Sequence, residues 1–255
     1  MKIYTISNQK GGVGKTTTAH ALASGLSLKG YKVLAVDADP QTNLTYNAGL
    51  PQNSPITLYD LMKERNSITE AIQTEKNGLF DIVAGSLTLA GADMEFTQVG
   101  REYLLKQALE PVKEKYDICV IDTPPTLGIL TINAMTASNG VIVPMEANIF
   151  SIQGLAQLQG LISNVRKYSN TGLEVTGILL ARYNGRATIN KDLKETIEGV
   201  AHNLHTTAFT TPIRQGVIVG EAHIEQQSIF TYGKNSNVAK DYSAFIQEFI
   251  ERTGI

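Results

Sequence analysis

Short runs of consecutive apolar residues alternate with longer segments of helical periodicity along most of the chain. Apolar runs without polar alternation are typical of strands that are buried on both faces of a parallel sheet. The alternation predicts an α/β fold, a doubly wound, mainly parallel β-sheet flanked by helices. The predicted strands are 2–7, 32–37, 80–85, 116–122, 140–145, 175–182 and 207–213. The predicted helices are 15–29, 57–64, 100–115, 151–167, 188–203 and 238–252.

The stretch from about residue 46 to 79 shows neither pattern clearly, and we expect loops and short helices there. No internal repeat, low-complexity tract or Pro/Gly-rich linker divides the chain. A single domain, 1–255, is therefore expected. Because the first predicted strand begins at residue 2, no N-terminal helix-turn-helix domain is expected.

Composition narrows the class of protein further. Hydrophobic residues make up 42% of the chain and charged residues 18%, which suits a packed core. The formal net charge is −2, so binding to nucleic acid would require a local basic patch. The single cysteine, Cys119, allows neither an internal disulfide nor a multi-cysteine metal site. No apolar run approaches the roughly 18 residues of a membrane span, and a cytoplasmic location is expected.

The first candidate for chemistry is the segment NQKGGVGKTTT, residues 8–18. It stands between a predicted strand and a predicted helix, which is the setting of a phosphate-binding loop with the pattern G-x-x-x-x-G-K-[ST]. Gln9 replaces the first glycine of that pattern, and a second lysine, Lys10, follows it. The residues expected to surround the phosphates are Gly11, Gly12, Val13, Gly14, Lys15 and Thr16.

Backbone N–H groups of such a loop and of the following helix point at phosphate oxygens. The ammonium of Lys15 is expected to bind β- and γ-phosphate oxygens, and the hydroxyl of Thr16 to bind Mg²⁺. The segment therefore predicts a nucleotide site.

Carboxylates follow two of the predicted strands. Asp37 and Asp39 end the second strand in VLAVDADPQTN, and Asp122 ends the run ICVID. Ligands of open α/β sheets bind at the carboxyl ends of the strands, so these acids are expected to meet near Thr16. Acids in this position are what a magnesium-dependent nucleotide hydrolase requires.

Together these motifs closely resemble the ParA/MinD family of P-loop ATPases. KGGVGKTT matches their deviant Walker A motif, VDADPQTN is similar to switch I, and DTPPTLGILTINAMTASN is similar to switch II. VIVPMEANIFSIQGLAQL and LLARYNGR resemble the next strand–helix unit and the late strand that reaches the nucleotide base. The resemblance runs from residue 2 to about residue 245, and the segment from GEAHIEQQ onward is most similar to short, Soj-like ParA proteins.

The resemblance implies the catalytic residues. Lys10 matches the signature lysine, which reaches the partner subunit's phosphates in an ATP-bound sandwich dimer. Asp39 matches the switch I aspartate that orients the attacking water. Lys10, Lys15 and Asp39 are the implied catalytic set.

It also implies the binding residues. Asp122 matches the Walker B group, and Asp37 a supporting carboxylate, so that Thr16, Asp37 and Asp122 form the implied metal site. Thr17 is the implied α-phosphate ligand. Asn184 is the implied adenine contact, a role that an amide can fill as both donor and acceptor; a turn before Gly185 is the alternative.

The activity that the resemblance implies is Mg²⁺-dependent ATP hydrolysis, weak alone, by an ATP-dependent homodimer. The dimer would bind nonspecific DNA of the nucleoid and leave it when a centromere-binding, ParB-like protein stimulates hydrolysis. Many members carry a basic residue where this chain has Gly216, Val217 and Ile218. The candidate DNA contacts are Arg186, Lys191, Lys194, Arg214, Lys234 and Lys240.

Two alternatives stay open. A MinD-like membrane ATPase would carry a basic amphipathic C-terminal helix, whereas the polar face here is acidic and the apolar stripe suits packing on the sheet. That stripe consists of Tyr242, Phe245, Ile246, Phe249 and Ile250. An ATP-dependent metabolic ligase or reductase on the same fold is the second alternative; an iron-protein reductase is disfavoured because Cys119 stands alone.

Overall fold

The computed structural model describes residues 1–146, 149–183 and 191–255; of residues 149–154 and 191–196 it describes the helical backbone alone. Two of the candidate residues, Asn184 and Arg186, lie outside the described residues. The side chains of Lys191 and Lys194 lie outside them as well.

A central sheet of seven strands confirms the predicted α/β class. The strands are β1 (Lys2–Ile6), β2 (Val33–Asp37), β3 (Ile72–Thr74), β4 (Asp81–Val83), β5 (Ile118–Asp122), β6 (Gly140–Met145) and β7 (Glu174–Leu180). Their order in the sheet is β3-β4-β2-β5-β1-β6-β7. β3 pairs with β4 in the antiparallel sense, and the other described pairs of strands are parallel.

Helices cover both faces of this sheet. They are α1 (Lys15–Leu28), α2 (Asn43–Asn47), α3 (Leu58–Met62), α4 (Ile68–Ala71), α5 (Ala92–Glu95), α6 (Leu104–Leu109), α7 (Ile129–Ala137), α8 (Ile149–Tyr168), α9 (Lys191–Asn203), α10 (Val217–Ile224), α11 (Ile229–Tyr232) and α12 (Asn237–Thr253). Short 3₁₀ helices lie at Leu87–Gly91, Arg101–Tyr103 and Glu110–Val112.

The central strands are buried on both faces, which explains their continuous apolar runs. Every residue of β2 is buried. Val33 and Ala35 pack into the core under α1 and α12, while Leu34 and Val36 pack into the core on the opposite face. A strand that serves two cores has no polar face, and so its sequence cannot alternate.

The apolar stripe of α12 is buried against the sheet, as its sequence predicts. Phe245 and Phe249 are fully buried, and the ring of Phe249 meets Tyr4 of β1 edge to face at 4.7 Å between centroids. Burying each such side chain stabilises the fold by about 2–3 kcal/mol.

The strand predicted at 207–213 is wrong. This segment makes an isolated bridge between Ala208 and Ile178 of β7 and forms no strand. It lies beside β7 and exchanges a few backbone hydrogen bonds with it, such as those from the Phe209 N–H to the Ile178 carbonyl at 2.8 Å and from the Ile213 N–H to the Leu180 carbonyl at 2.7 Å. Between these bonds, side chains of α12 bind the backbone: Arg252 Nη2 donates to the Ala208 carbonyl at 2.6 Å, and the Thr210 N–H donates to Glu248 at 2.9 Å. Because these groups are satisfied by side chains, the pairing with β7 does not continue into a strand.

The other differences have local causes. The helix predicted at 100–115 is shortened to α6 between two 3₁₀ turns. At its C-terminal end α6 gives way to a 3₁₀ turn at Pro111, which has no N–H for an α-helical bond. α7 was not predicted, since its first turn, ILTI, is rich in β-branched residues that favour strands. The stretch 46–79 holds short helices, as expected, and also the unpredicted strand β3.

Within the described parts of the chain, no helix has both the length and the hydropathy needed to traverse a bilayer.

Candidate functional site

The carboxyl ends of three neighbouring strands form one edge of the sheet. Asp122 at the end of β5 lies in register with Ile6 of β1 on one side and with Asp37 of β2 on the other. The glycine-rich segment leaves β1 at this edge and enters α1. The loop and the acids therefore converge, as the strand-end argument predicts.

The glycine-rich loop has a backbone that requires glycine. Gly12 and Gly14 have φ of 76° and 88°, in the left-handed region. Gly14 is the N-cap of α1 and supplies no side chain, so no side chain caps the N–H groups of the first turn of α1. Unfilled N–H groups and the positive end of the helix dipole favour an anion at this point.

The side chain of Asn8 fixes the start of the loop. It is buried, its amide donates to the Pro144 carbonyl at 2.7 Å, and its oxygen accepts from the Lys10 N–H at 3.0 Å. Val13 is also fully buried, so its side chain anchors the loop in the core while its backbone lines the turn.

Asp122 is the least satisfied acid of the site. Both of its carboxylate oxygens are buried, and neither has a hydrogen-bond partner among the described residues. Burial, and next the negative charge of Asp37, raise the pKa of Asp122 well above its ordinary value, and the nearby Thr16 hydroxyl opposes them without meeting the geometry of a hydrogen bond. A cation beside Asp122 would satisfy the oxygens and relieve this repulsion. The residues present therefore fit a magnesium ion.

The protein alone does not complete a metal site in the described part of the chain. No group of three or more His, Cys, Asp or Glu side chains is arranged there to hold a metal ion. This agrees with the usual coordination of Mg²⁺, which is bound by one or two carboxylates together with substrate phosphates and water.

Asp37 differs from Asp122 although the two lie side by side. One oxygen of Asp37 accepts from the N–H and the hydroxyl of Thr45 at 2.8 and 2.7 Å. The other oxygen accepts from the Asp39 N–H at 3.2 Å. Burial raises the pKa of Asp37 to about 6 against these hydrogen bonds. Its carboxylate thus joins the loop after β2 to α2.

Asp39 lines the cavity beside the phosphate loop. It is buried and accepts from the Gln41 N–H at 2.9 Å. Its carboxylate therefore lies at the mouth of the phosphate loop.

Lys15 is largely buried at the bottom of the loop. Its ammonium donates to the Lys10 carbonyl at 3.2 Å, within the loop itself. Burial lowers the pKa of Lys15, and the negative charges of Asp122 and Asp39 oppose that effect. Thr16 and Thr17 are half-buried beside it and face the same cleft.

The ammonium of Lys10 lies beside Glu146 of the same chain, an acid that the sequence analysis did not identify. Its Nζ is 3.2 Å from Glu146 Oε2. Arg182 Nη1 is 3.1 Å from Glu146 Oε1 and also donates to the Gly12 carbonyl at 2.9 Å. Glu146 directly follows β6 and Arg182 lies two residues after β7, so the strand-end rule that found Asp122 could have found both.

Two cavities meet at the loop. One has a volume of about 490 Å³ and is lined by the phosphate loop, by Asp39 and by α2. The other has a volume of about 290 Å³ and lies between the loop, Arg182 and α10. His223 of α10 borders both cavities. Together they offer an elongated ligand space on both sides of the phosphate loop, with Lys15 and Asp39 in the larger cavity and Arg182 in the smaller one.

The candidate DNA contacts that the structure describes divide into two kinds. Arg214 makes a two-point ion pair with Asp241, with Nε–Oδ2 and Nη2–Oδ1 distances of 2.6 and 2.8 Å. Its charge is therefore largely compensated. Lys234 and Lys240 are exposed near α11 and on α12.

Comparison with known proteins gives a consistent picture. A family model described as "AAA domain" matches residues 1–175. The chain is 36% identical over 249 residues to the sporulation initiation inhibitor protein Soj of Bacillus subtilis, covering 97% of each chain. It is 35% identical over 257 residues to the chromosome partitioning protein ParA of Caulobacter vibrioides, covering 99% of this chain and 95% of the relative.

Among solved structures, the fold is similar to that of cobyrinic acid a,c-diamide synthase from Mycobacterium smegmatis with bound ATP analog and magnesium. The TM-score is 0.86 at 28% identity, and the match covers 100% of this chain and 96% of the other.

Proposed function

Because the chain belongs to the ParA/Soj family of partition ATPases, we propose that it is a single-domain, Mg²⁺-dependent ATPase that partitions DNA. The ATP-bound form is a homodimer that binds DNA without sequence preference. A centromere-binding, ParB-like protein stimulates hydrolysis and thereby releases the dimer. The protein acts in the cytoplasm, on the nucleoid.

The observation that carries the ATPase proposal is the Asp122 carboxylate. It is buried without a described hydrogen-bond partner at the strand end beside the phosphate loop. A buried acid in this state is costly unless a ligand compensates it. The similar synthase structure, which has an ATP analog and magnesium bound, supports the same ligand chemistry here.

In this proposal the loop binds the nucleotide through its backbone, through Lys15 and through Thr17. Lys15 leaves the Lys10 carbonyl and binds the β- and γ-phosphates, and Thr17 binds the α-phosphate. Thr16 and Asp122 hold Mg²⁺, and Asp37 supports them through the adjacent strand. When bound, Mg²⁺ neutralises charge that builds up on the phosphate oxygens.

Catalysis then depends on two further residues. Asp39 orients the attacking water from the mouth of the cleft. Lys10 contributes from the partner subunit, so that hydrolysis requires two subunits to meet, which is the logic of an arginine finger supplied in trans. A site completed by dimerisation acts as a switch.

DNA binding would use exposed lysines, whose positive charges attract the phosphates of DNA. A dimer presents each of these lysines twice. Lys234 and Lys240 are the described candidates, and Arg186, Lys191 and Lys194 stay predictions from the sequence. Arg214 is a weaker candidate, since Asp241 already compensates its charge. Asn184 likewise stays a prediction as the adenine contact.

The two alternatives are less well supported. Membrane attachment through the C-terminal helix would need its apolar face, which is packed on the sheet. A ligase like the similar synthase is possible on this fold, but the partition relatives are more similar in sequence, at 35–36% against 28% identity.

The testing experiment measures retention on nonspecific double-stranded DNA with ATP, with ADP and without nucleotide, across a salt series. We expect retention with ATP alone, falling steeply with salt because bound phosphates release counterions. Absence of retention with ATP at low salt would refute the partition function. Binding to anionic vesicles instead of DNA would support the membrane alternative.

A pair of lysine variants sharpens this experiment. Lys10→Ala is expected to bind ATP nearly as the unmodified protein does, yet to lose dimerisation, stimulated turnover and DNA retention. Lys2→Ala, an exposed lysine of β1 at the far edge of the sheet, is the matched control and should keep all three. Full sandwich formation and stimulated turnover by Lys10→Ala would exclude the role in trans.

A further inference from the structure

We propose that Glu146 and Arg182 are positioning residues that hold Lys10 within its own subunit until a nucleotide-bound partner arrives. We name Lys10, Glu146 and Arg182 the lysine-holding cluster. The proposal rests on the proposed function, because it assigns how the lysine acting in trans is kept and released.

The cluster is built around one carboxylate that two cations share. Lys10 Nζ approaches one oxygen of Glu146 at 3.2 Å, and Arg182 Nη1 approaches the other at 3.1 Å. The Glu146 side chain is 23% exposed, so these contacts are only partly screened by water. Three elements meet in it: the phosphate loop, the end of β6 and the end of β7.

Arg182 is held firmly in this position. Its backbone has a φ of 54°, in the left-handed region, where a residue other than glycine is uncommon. The neighbouring backbone fixes it on both sides: the Ala181 N–H donates to the Met145 carbonyl at 2.8 Å, and the Tyr183 N–H donates to the Ile213 carbonyl at 2.9 Å. Unfavourable backbone conformations persist where surrounding structure enforces them, and they concentrate at functional sites.

Arg182 also contacts the phosphate loop. The same Nη1 that binds Glu146 donates to the Gly12 carbonyl at 2.9 Å. Gly12 lines both cavities of the nucleotide site. A change in the loop when phosphates bind is therefore transmitted to the carboxylate that holds Lys10.

The shared carboxylate makes release of the lysine easier. To reach a partner's phosphates, the Lys10 ammonium has to leave Glu146. The Glu146 carboxylate then keeps the Arg182 guanidinium beside it, and so it is not left with an uncompensated charge. Removing Glu146 should weaken the hold on Lys10, whereas removing Arg182 should strengthen the attraction between Glu146 and Lys10.

The two changes thus have opposite expected effects on dimerisation. Breaking a partly exposed ion pair changes an equilibrium by up to about fivefold. A two-fold symmetric dimer contains the cluster twice, so Glu146→Gln is expected to lower the dimer dissociation constant by up to roughly 25-fold. Arg182→Gln is expected to raise it.

The first measurement concerns the nucleotide-free protein and does not depend on ATPase function. Lysine amines are acylated under limiting reagent and quantified by mass spectrometry. In Glu146→Gln the labelling rate of Lys10 is expected to rise roughly two- to fivefold, since the ion pair with Glu146 is lost. Lys2 serves as the internal reference, and Glu110→Gln, which removes the surface pair with Lys113, is the matched control variant. An unchanged Lys10 rate would overturn the proposal.

The second measurement is the dimer dissociation constant by analytical ultracentrifugation with a nonhydrolysable ATP analogue, beside nucleotide affinity of the monomer. Tighter dimerisation of Glu146→Gln with weaker dimerisation of Arg182→Gln supports the proposal. Shifts of the same sign in both variants, at equal nucleotide affinity, would overturn it. If the unmodified protein forms no ATP-dependent dimer, the proposed function fails. The labelling result still shows whether Glu146 holds Lys10 in the nucleotide-free protein.

Discussion

Buried His20 makes the stability of this protein depend on pH in a direction that the structure specifies. The side chain lies in α1, fully buried, with its ring edge to face with Phe80 at 5.6 Å. Its Nε2 atom has no hydrogen-bond partner among the described residues. Burial, with a contribution from neighbouring His223, lowers the pKa of His20 from 6.5 to about 3.

The sign and size follow from linkage. Between pH 6.5 and 3 the unfolded chain binds a proton at His20 and the folded chain does not, so acid favours unfolding. The stability that a neutral His20 contributes is present above pH 6.5 and is lost as the pH falls. From pH 7 to pH 5 the loss is about 2 kcal/mol, which lowers Tm by roughly 4–8 °C in a chain of this size.

Asp37 acts in the opposite direction and has to be separated. Its folded pKa is raised to about 6, so a proton stabilises the folded form as the pH falls toward 4. Asp122, whose pKa is raised by burial as well, acts in the same direction as Asp37. The difference between the unmodified protein and a His20 variant removes the contributions of both acids, because they are present in both proteins.

The assay is urea unfolding of the unmodified protein and of His20→Leu at pH 7 and pH 5. His20→Leu changes the free energy of unfolding by some amount at pH 7. At pH 5 its free energy of unfolding should be about 2 kcal/mol more favourable relative to the unmodified protein than at pH 7, since leucine has no proton to bind. His202→Leu, at an exposed position of α9, is the matched control, and its cost should stay constant. A His20→Leu cost that is equal at both pH values would refute the reasoning.

Three further outcomes concern the nucleotide site and its surroundings. Gly14→Ala should destabilise the protein by about 1–2 kcal/mol in urea unfolding and weaken ATP binding in calorimetry, because its φ of 88° disfavours a Cβ; full stability and affinity would contradict this. Asp39→Ala should keep ATP binding but lose at least roughly a hundredfold in phosphate release, and normal turnover would remove Asp39 from the mechanism. Arg214→Gln should lower Tm and leave the salt dependence of DNA binding unchanged, since Asp241 loses its two-point partner; a shallower salt slope at unchanged Tm would instead indicate a DNA contact.

Local sequence determined the centre of the site. The strand, the glycine-rich turn and the helix of residues 2–28 are consecutive in the chain, so their order alone specifies a phosphate loop. Asp122 could be predicted as well, because parallel strands place their carboxyl ends at one edge. The same periodicity placed the apolar face of α12 on the sheet correctly.

Tertiary contacts decided what periodicity could not. The sequence of segment 207–213 predicts a strand, yet Glu248 and Arg252, about 40 residues later, bind part of its backbone, so that its pairing with β7 is limited to an isolated bridge. Asp37 and Asp122 follow their strands in the same way, but only Asp37 meets Thr45.

The contacts of Lys10 show the same limit. Its carboxylate partner, Glu146, is 136 residues away in sequence, and Arg182 reaches the loop from the end of another strand. The sequence by itself predicts which residues bind phosphate and metal, since that chemistry belongs to residue types and to short-range spacing. The tertiary structure alone decided which acid has no hydrogen-bond partner in the described part of the chain and which carboxylate lies beside Lys10, because hydrogen bonds and ion pairs depend on distances that only the folded chain sets.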